Sequence, residues 1–484
     1  MKRLQGIEGI LWVALVAFLS ILSTSSPALS YTITIVQYAI VYYCIVSGKL
    51  FQAFIFFMLF TSATLEIDFY VYYGGRAPFN RWSFFNPNLA YRFTAIVLMV
   101  LILSKYGRQL RIILHNKALK RIYYWMILLL TTGCISVILG LVLGDNVVSI
   151  PAVFNKVLGF LVYFSIIIIT IIFASDKLHR NNLAEISVAV LSGVTLSAIV
   201  SILLGFRGYY GTEYETMQAP MLVGFAPCLL AFIKNPKLIN RIAYLTLSVL
   251  IIILAFNAPS VIGSKWYLII VASIVFFTYR TVPNLNPIVI VLLAVALIFI
   301  VPTIGMMLSD IMSEHAYNNW KFNQAIKTLD IFSYNTISDW FLDQDESARF
   351  RIDEPINIAI EYLNHPLYAL FGKGIGGTTQ HYTVFTDWSM GAAFTDSQIK
   401  IGHFYDMHET FAVLFLRHGF LGIVFFIDML ILTIKHMKYS PFGMWGFLWF
   451  FFYWAFGFSF MLGIIPFILA LTTTTNEISF IKKS

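Results

Sequence analysis

The stretch that organises the chain is Met407–Gly422, which reads Met-His-Glu-Thr-Phe-Ala-Val-Leu-Phe-Leu-Arg-His-Gly-Phe-Leu-Gly. His408 stands where a long polar segment gives way to an apolar run, and Gly419 and Gly422 follow within that run. The pattern predicts a helix that begins with an ionisable group at a membrane surface and carries small residues that let another helix approach closely. On this stretch alone, an interfacial histidine on an ordinary span is as good an interpretation as a functional one.

The composition is that of a polytopic membrane protein. Hydrophobic residues make up 59% of the chain and charged residues only 12%. Several runs, such as Ile288–Met307, reach the roughly 20 apolar residues that a helix needs to cross a bilayer. The net charge of +8 does not indicate nucleic-acid binding, because lysine and arginine cluster in alternate loops, as the positive-inside pattern requires. The three cysteines are scattered in apolar runs and predict neither a disulfide framework nor a metal site.

Counting the apolar runs gives an all-α bundle of about 12–14 transmembrane helices with a cytoplasmic N-terminus. The fourth and fifth spans, about 92–104 and 122–143, flank a loop at 105–121 that holds six bases and no acid, which places this loop in the cytoplasm. The twelfth span is expected at about 410–432. The last apolar run, 442–471, is either one long tilted helix or a hairpin of two short ones. The domains expected are therefore spans 1–11 at 1–307, an outer loop domain at 308–407 and C-terminal spans at 408–484.

The loop at 308–407, between the eleventh and twelfth spans, is the one long hydrophilic segment, and it holds 13 acids against 6 bases. Its many aromatic residues argue against disorder. Asp353-Glu354-Pro355 is typical of a helix start, with acids in the first turn and proline at the first helical position. Ile356, Ala359, Ile360 and Leu363 follow at helical spacing, and the run ends at His365-Pro366. We expect several short helices that form a lid or cap over the bundle.

Four loci on the predicted outer side carry candidate functional residues: Arg207, Lys265, the pair Arg349 and Arg351, and His408. Each has an ordinary explanation, namely interfacial anchoring, snorkelling of a lysine, local ion pairing and an interfacial histidine. Together they suit a single chemistry. Fixed cations, above all arginine with its planar fork, bind diphosphate oxygens, and histidine titrates near neutral pH as a base for a sugar hydroxyl requires. Such a site could transfer a glycosyl group without a metal, because cations stabilise the departing pyrophosphate.

The order of these residues resembles the O-antigen ligase/polymerase family. Arg351 is followed by His365-Pro366, by the glycine-rich turn Gly372–Gly377 and then by His408-x10-Gly-x2-Gly, while Gly263-Ser264-Lys265 is similar to the family's Gly-Ser-Arg. The resemblance covers about residues 200–425. Two departures stand out, since Lys265 replaces the usual arginine and Glu409 follows the histidine where asparagine, serine or aspartate is commoner.

The resemblance implies a GT-C-like bundle in the inner (cytoplasmic) membrane, with a periplasmic or extracellular active site that uses no cofactor and no metal. His408 would be the general base of an inverting transfer. Arg207, Lys265 and Arg351 would hold the pyrophosphate of an undecaprenyl-linked donor, with Arg349 as the alternative to Arg351. The expected function is a polysaccharide polymerase that transfers the growing glycan onto an incoming lipid-linked repeat unit. Expected partners are these lipid-linked donors and acceptors, the bilayer, a chain-length regulator and a flippase, and no nucleic acid.

Two rival functions stay open on the sequence. A ligase would transfer finished glycan to lipid A core or another acceptor through the same chemistry, and a transporter or flippase would show paired, interrupted spans or internal repeats. Three minor motifs were also weighed: His403, Asp406 and His408 as metal ligands, Glu66-Ile-Asp68 as an acidic site, and Asp428 as an intramembrane acid. The histidine spacing disfavours the first, the loop position disfavours the second, and Asp428 is expected near the inner surface.

Overall fold

The computed structural model is mostly helical in the regions it describes. These are 42–49, 89–113, 117–145, 334–344, 346–383, 385–390, 396–405 and 410–437, with isolated residues elsewhere. Within them the helices are α1 Leu89–Ile113, α2 Lys117–Leu143, α3 Ile337–Leu342, α4 Glu346–Asn364, α5 Leu367–Phe371, α6 Asp396–Ile401 and α7 Thr410–Met437. The described residues form no strand, and a single antiparallel bridge pairs Thr379 with Phe404.

By length and composition, two of these helices could cross a membrane, over Lys120–Leu143 and Phe411–Met429, and the second of them is broken at Gly419. They correspond to the predicted fifth and twelfth spans. The fourth predicted span is also a helix, because α1 covers it. The other predicted spans lie wholly or mostly outside the described residues. The predicted count of 12–14 spans therefore stays a prediction.

The predicted cytoplasmic loop at 105–121 is largely helical. α1 continues to Ile113 and α2 begins at Lys117, so the basic residues extend two helices instead of forming a loop. Lysine and arginine have high helix propensity, and nothing in this stretch is proline or the first residue of a turn motif.

α2 ends as its sequence predicts. Gly144 follows Leu143 with φ 73°, and the N–H of Asp145 donates to the Gly140 carbonyl at 2.9 Å. This left-handed glycine cap satisfies carbonyls that the helix end would otherwise leave free. It also places the Asp145 carboxylate at the end of α2, where it accepts a hydrogen bond from the Tyr368 hydroxyl at 2.8 Å.

The helix start predicted at Asp353-Glu354-Pro355 is wrong. α4 begins at Glu346, and Pro355 lies inside it. Proline cannot donate to the carbonyl four residues earlier, but the upstream turns gain packing because Phe350 is buried. Tertiary packing of this kind decides most helix boundaries in proteins. The predicted end is confirmed, since α4 stops at Asn364, directly before His365-Pro366.

The short helices predicted for the 308–407 segment are present as α3 to α6. Thr336 caps α3, because its hydroxyl accepts the Asp339 N–H at 3.0 Å. α5 connects α4 to the glycine-rich turn and packs against α7 and α2. The described core is therefore formed by α2, α4, α5 and α7.

Candidate functional site

The helix α7 is broken at Gly419. This residue has φ 57° and ψ −145°, a backbone conformation that is not helical and that residues other than glycine rarely adopt. The rings of Phe411 and Phe426 lie 5.9 Å apart between centroids. On a straight helix, at 1.5 Å per residue, they would be separated by about 22 Å. The chain therefore folds back at Gly419, and the predicted single span is two arms, which we call α7a (410–418) and α7b (420–437).

The break frees carbonyl groups at the end of α7a, and neighbouring segments satisfy them. The Tyr362 hydroxyl donates to the carbonyls of Phe415 at 2.5 Å and Leu416 at 2.9 Å. The backbone N–H of Lys373 donates to Leu416 O at 2.9 Å, and that of Gly374 donates to Arg417 O at 3.0 Å. The carbonyls of residues 415–417 are thus used within the protein and are not presented to a ligand.

The glycine-rich turn Gly372–Gly377 fills the space between α7 and α2. Gly372 and Gly374 have φ values of 74° and 85°, which only glycine adopts without strain. A Cβ at Gly374 would lie 2.5 Å from the Gly133 carbonyl oxygen of α2. The Ile375 N–H donates to that same oxygen at 3.2 Å. Glycine is therefore required because the backbone of the turn approaches the backbone of α2 closely. This explains the glycine-rich turn by its packing against α2 and not by nucleotide binding.

A buried ion pair lies beneath this turn. Lys373 Nζ is 2.7 Å from Glu361 Oε1, and both side chains are 3% exposed. The second carboxylate oxygen accepts the Tyr382 hydroxyl at 2.6 Å and the Gln380 N–H at 3.4 Å. Burial raises the pKa of Glu361, but the hydrogen bonds from Lys373 and Tyr382 and the lysine charge outweigh it and lower the pKa overall. The pair joins α4 to the turn.

One side of α4 holds the segment at 378–388 through polar residues spaced four apart, namely Asp353, Asn357 and Glu361, each of them buried. Asp353 accepts hydrogen bonds from the Thr383 and Thr386 hydroxyls and, at 2.9 Å, from the Trp388 indole N–H. The Asn357 side-chain oxygen accepts the backbone N–H groups of residues 382 and 383. This row is fully bonded to one short segment and therefore fixes it to the helix.

His403, one of the three residues weighed as metal ligands, lies beside this network. Its Nδ1 is 3.2 Å from the Thr378 hydroxyl and its Nε2 is 3.4 Å from the Gln380 side-chain nitrogen. Burial and the Lys373 charge lower its pKa, and Glu361 opposes them only in part. Within the described residues, no three histidines, cysteines or acids are placed to hold a metal ion, while Asp406 and His408 lie outside them.

Of the predicted site residues, His408, Arg207 and Lys265 lie outside the described residues, as do Glu66 and Asp68. Arg349 and Arg351 both belong to α4 and are half-buried. The Nε of Arg349 is buried and has no hydrogen-bond partner among the described residues.

The two arginines leave α4 on different sides, because positions two apart on a helix do not face each other. Arg351 shares its side with Tyr362, eleven positions on, whose hydroxyl bonds to α7a. Arg349 shares its side with Asp353, one turn on, which holds the 383–388 segment. The arrangement therefore separates the two arginines that the sequence left as alternatives.

Asp428 lies on α7b and pairs with the start of α2. Arg121 binds it through two nitrogens, with Nε at 2.6 Å, and the Trp125 indole N–H donates at 2.7 Å. The acid thus has a structural partner, as an interfacial residue would. Two further histidines pack against the protein: His418 is buried in α7a, and His381 stacks on Trp388 with ring centroids 5.0 Å apart.

Sequence reasoning missed Glu361 and the polar row to which it belongs. A signal was present, because Asp353, Asn357 and Glu361 recur at four-residue spacing, as one side of a helix does. The helical spacing of Ile356, Ala359 and Leu363 predicted the helix but not which of its sides faces the core. All three residues are exposed, and Leu363 is 79% exposed.

Comparison with protein-family models, with curated proteins and with solved structures finds no match to this chain.

Proposed function

We propose that this chain is a membrane glycosyltransferase that polymerises lipid-linked oligosaccharide units. His408 activates the acceptor hydroxyl, and Arg207, Lys265 and Arg351 hold the pyrophosphate of the undecaprenyl-linked donor. The observation that supports this most is that widely spaced parts of the sequence pattern meet in one place. α4, which carries Arg351, ends at His365-Pro366 and leads into the glycine turn, and this turn hydrogen-bonds to α7 beside Gly419.

The side on which Arg351 leaves α4 favours it over Arg349 as the partner of His408. Tyr362, on the same side of the helix, bonds to α7a, and α7a begins two residues after His408. Arg351 therefore leaves α4 on the side that contacts the arm preceded by the proposed base. Arg349 instead faces the side held by Asp353, so we assign it a supporting role.

A transporter is the one rival that a described feature favours, because broken helices are common at the binding sites of secondary transporters. In those proteins the freed carbonyls and helix ends coordinate ions or substrate. Here the carbonyls of Phe415, Leu416 and Arg417 accept hydrogen bonds from Tyr362, Lys373 and Gly374. The break therefore serves to dock the glycine turn, which supports an enzyme over a transporter.

The test compares surface glycan from cells that carry the wild type or single variants at matched expression, resolved as a length ladder on a gel. His408→Ala and Arg351→Ala should abolish chains longer than one unit, whereas Arg349→Ala should shorten them less. Lys400→Ala, an exposed base of the same segment, is the matched control and should keep the wild-type ladder.

The pattern of loss distinguishes the rivals. A single unit on the surface acceptor identifies a polymerase, whereas full-length polymer retained on the lipid carrier identifies a ligase. Wild-type ladders in both the His408 and Arg351 variants would reject the assigned site and reopen transport.

A further inference from the structure

The exposed apolar residues at the end of α4 and along α5 form a ridge, which the exposed polar residues Asn364 and His365 interrupt. It runs through Leu363, Leu367, Leu370 and Phe371, of which Leu367 is 72% exposed. The opposite side of α4 buries Asp353, Asn357 and Glu361. A helix in water keeps its large apolar residues against the core, and α4 does so with Phe350, Ile358 and Tyr362 but not with Leu363. The ridge therefore indicates an apolar environment outside the protein.

Contacts with α2 fix how deep this ridge lies. Tyr368 bonds to Asp145, at the end of α2. The Ser136 hydroxyl is 3.5 Å from the Phe371 carbonyl, and Ile375 bonds to Gly133. From Asp145 to Gly133 is about 18 Å along a helix, whereas the hydrocarbon core of a bilayer is about 30 Å thick. Residues 368–375 thus descend along α2 from its end to the middle of its apolar span.

Most backbone N–H groups of the glycine turn donate hydrogen bonds within the protein. The backbone N–H groups of residues 372–375 and 377 all donate to backbone carbonyls. The Lys373 ammonium is paired with Glu361. Irregular backbone at membrane depth is stable only when its hydrogen bonds are made within the protein, and ionisable groups there are normally paired.

We propose that residues 363–377 form a re-entrant segment that enters the bilayer beside α2 and turns back at mid-depth, with lipid acyl chains covering the ridge. Ile135 and Ile138 of α2 are exposed at the same depth, on the side of α2 away from Gly133 and Ser136, which contact this segment. Acyl chains are the occupant because this part of α2 lies at the depth of the hydrocarbon core. The proposal rests on α2 crossing the membrane and does not depend on glycosyl transfer.

The test places a single bimane-labelled cysteine at chosen positions in protein whose Cys44, Cys134 and Cys228 are replaced by alanine, reconstituted in phosphatidylcholine vesicles. Leu370→Cys and Leu367→Cys report the ridge. Ile135→Cys, exposed on α2, is the control at the same depth, and Ser389→Cys, exposed in the 388–390 turn, is the control in water. Quenching by nitroxide-labelled acyl chains is compared with quenching by iodide.

The nitroxide lipid should quench Leu370→Cys severalfold more than Ser389→Cys and about as strongly as Ile135→Cys, with iodide in the opposite order. Leu367→Cys, nearer the end of α2, should be intermediate. Iodide quenching of Leu370→Cys equal to that of Ser389→Cys would place the ridge in water and overturn the proposal. Protection from both quenchers would show that protein and not lipid covers the ridge, and failure of the lipid to quench Ile135→Cys would remove the premise. Each of these last two results would also overturn the proposal.

Discussion

At the scale of single residues, Gly419 decides whether α7 can break and whether the glycine turn can dock against the break. Its backbone conformation is essentially restricted to glycine, and a Cβ there would meet the Ala369 carbonyl oxygen and, at 2.7 Å, the Gly372 nitrogen. The backbone strain alone costs about 1–3 kcal/mol, and the clash adds to it. The pattern His-x10-Gly-x2-Gly thus has a physical reason, since Gly422 likewise approaches the Leu414 carbonyl.

We expect Gly419→Ala to lower the melting temperature of the purified protein markedly, because the turn can no longer dock against the break. Gly107→Ala is the matched control. Gly107 lies inside α1 with open space where its Cβ would be, so alanine there should stabilise by up to about 1 kcal/mol through helix propensity. Equal melting temperatures for the two variants would show that residue 419 does not adopt the broken conformation.

The buried pair of Glu361 and Lys373 gives a second prediction at this scale. Removing one partner leaves the other charge buried without compensation, which typically costs about 3–5 kcal/mol. We expect Lys373→Met alone to destabilise strongly. The double variant Glu361→Gln/Lys373→Met should regain much of the loss, because a buried ion pair is often no more stable than a neutral replacement. Denaturant or thermal unfolding of the four proteins measures the coupling, and additive effects would contradict direct pairing.

At the scale of secondary-structure elements, the two arms of α7 can be tested directly. Cysteines at positions 411 and 426 should be joined by a short bifunctional thiol reagent, because the native rings lie 5.9 Å apart. Cysteines at positions 420 and 431, both on α7b, serve as the negative control for distance. They are separated by about 16 Å along a helix and should not be joined. A failure at 411/426 with matched labelling would favour one straight span.

The sequence was sufficient where local chemistry decides an element and insufficient where packing does. The end of α4 follows from His365-Pro366, and the end of α2 follows from Gly144, since proline and glycine act locally. The start of α4 depended on burial of Phe350, and the exposed side of α4 depended on what surrounds it. A hydropathy profile does not reveal the break at Gly419, because the residues on both sides of it are apolar. Glycine in an apolar helix is as compatible with close helix packing as with a turn.

The candidate site divides in the same way. The glycine turn and the His-Pro corner could be located from their residue types alone. The separation of Arg349 from Arg351 could not, because it requires both to belong to one continuous helix, and the sequence placed the helix start after them. Glu361 was missed for a related reason, since its partner Lys373 lies beyond a helix end and a second short helix.

At the scale of the whole molecule, the ion pair between Arg121 and Asp428 joins regions 307 positions apart in the chain. The Trp125 indole packs on Phe425, with ring centroids 5.4 Å apart, so α7b runs antiparallel to α2. The end of α7b therefore lies on the same side as the start of α2. The basic residues around Lys120 predict that this side is cytoplasmic. Because Phe411 lies beside Phe426, α7a also begins toward this side, which conflicts with the outer-side position predicted for His408.

Charge reversal tests this arrangement. Asp428→Lys brings a third cation to Lys120 and Arg121 and should lower the melting temperature, and Arg121→Glu should do so by like-charge repulsion with Asp428. The double variant should recover only part of the loss, because the Trp125 N–H no longer has a carboxylate acceptor. Lys400→Glu, a reversal at an exposed base remote in sequence, controls for net charge. If the double variant is no more stable than the worse single one, the two residues do not face each other. The assignment of both helix ends to one side of the membrane then loses its support.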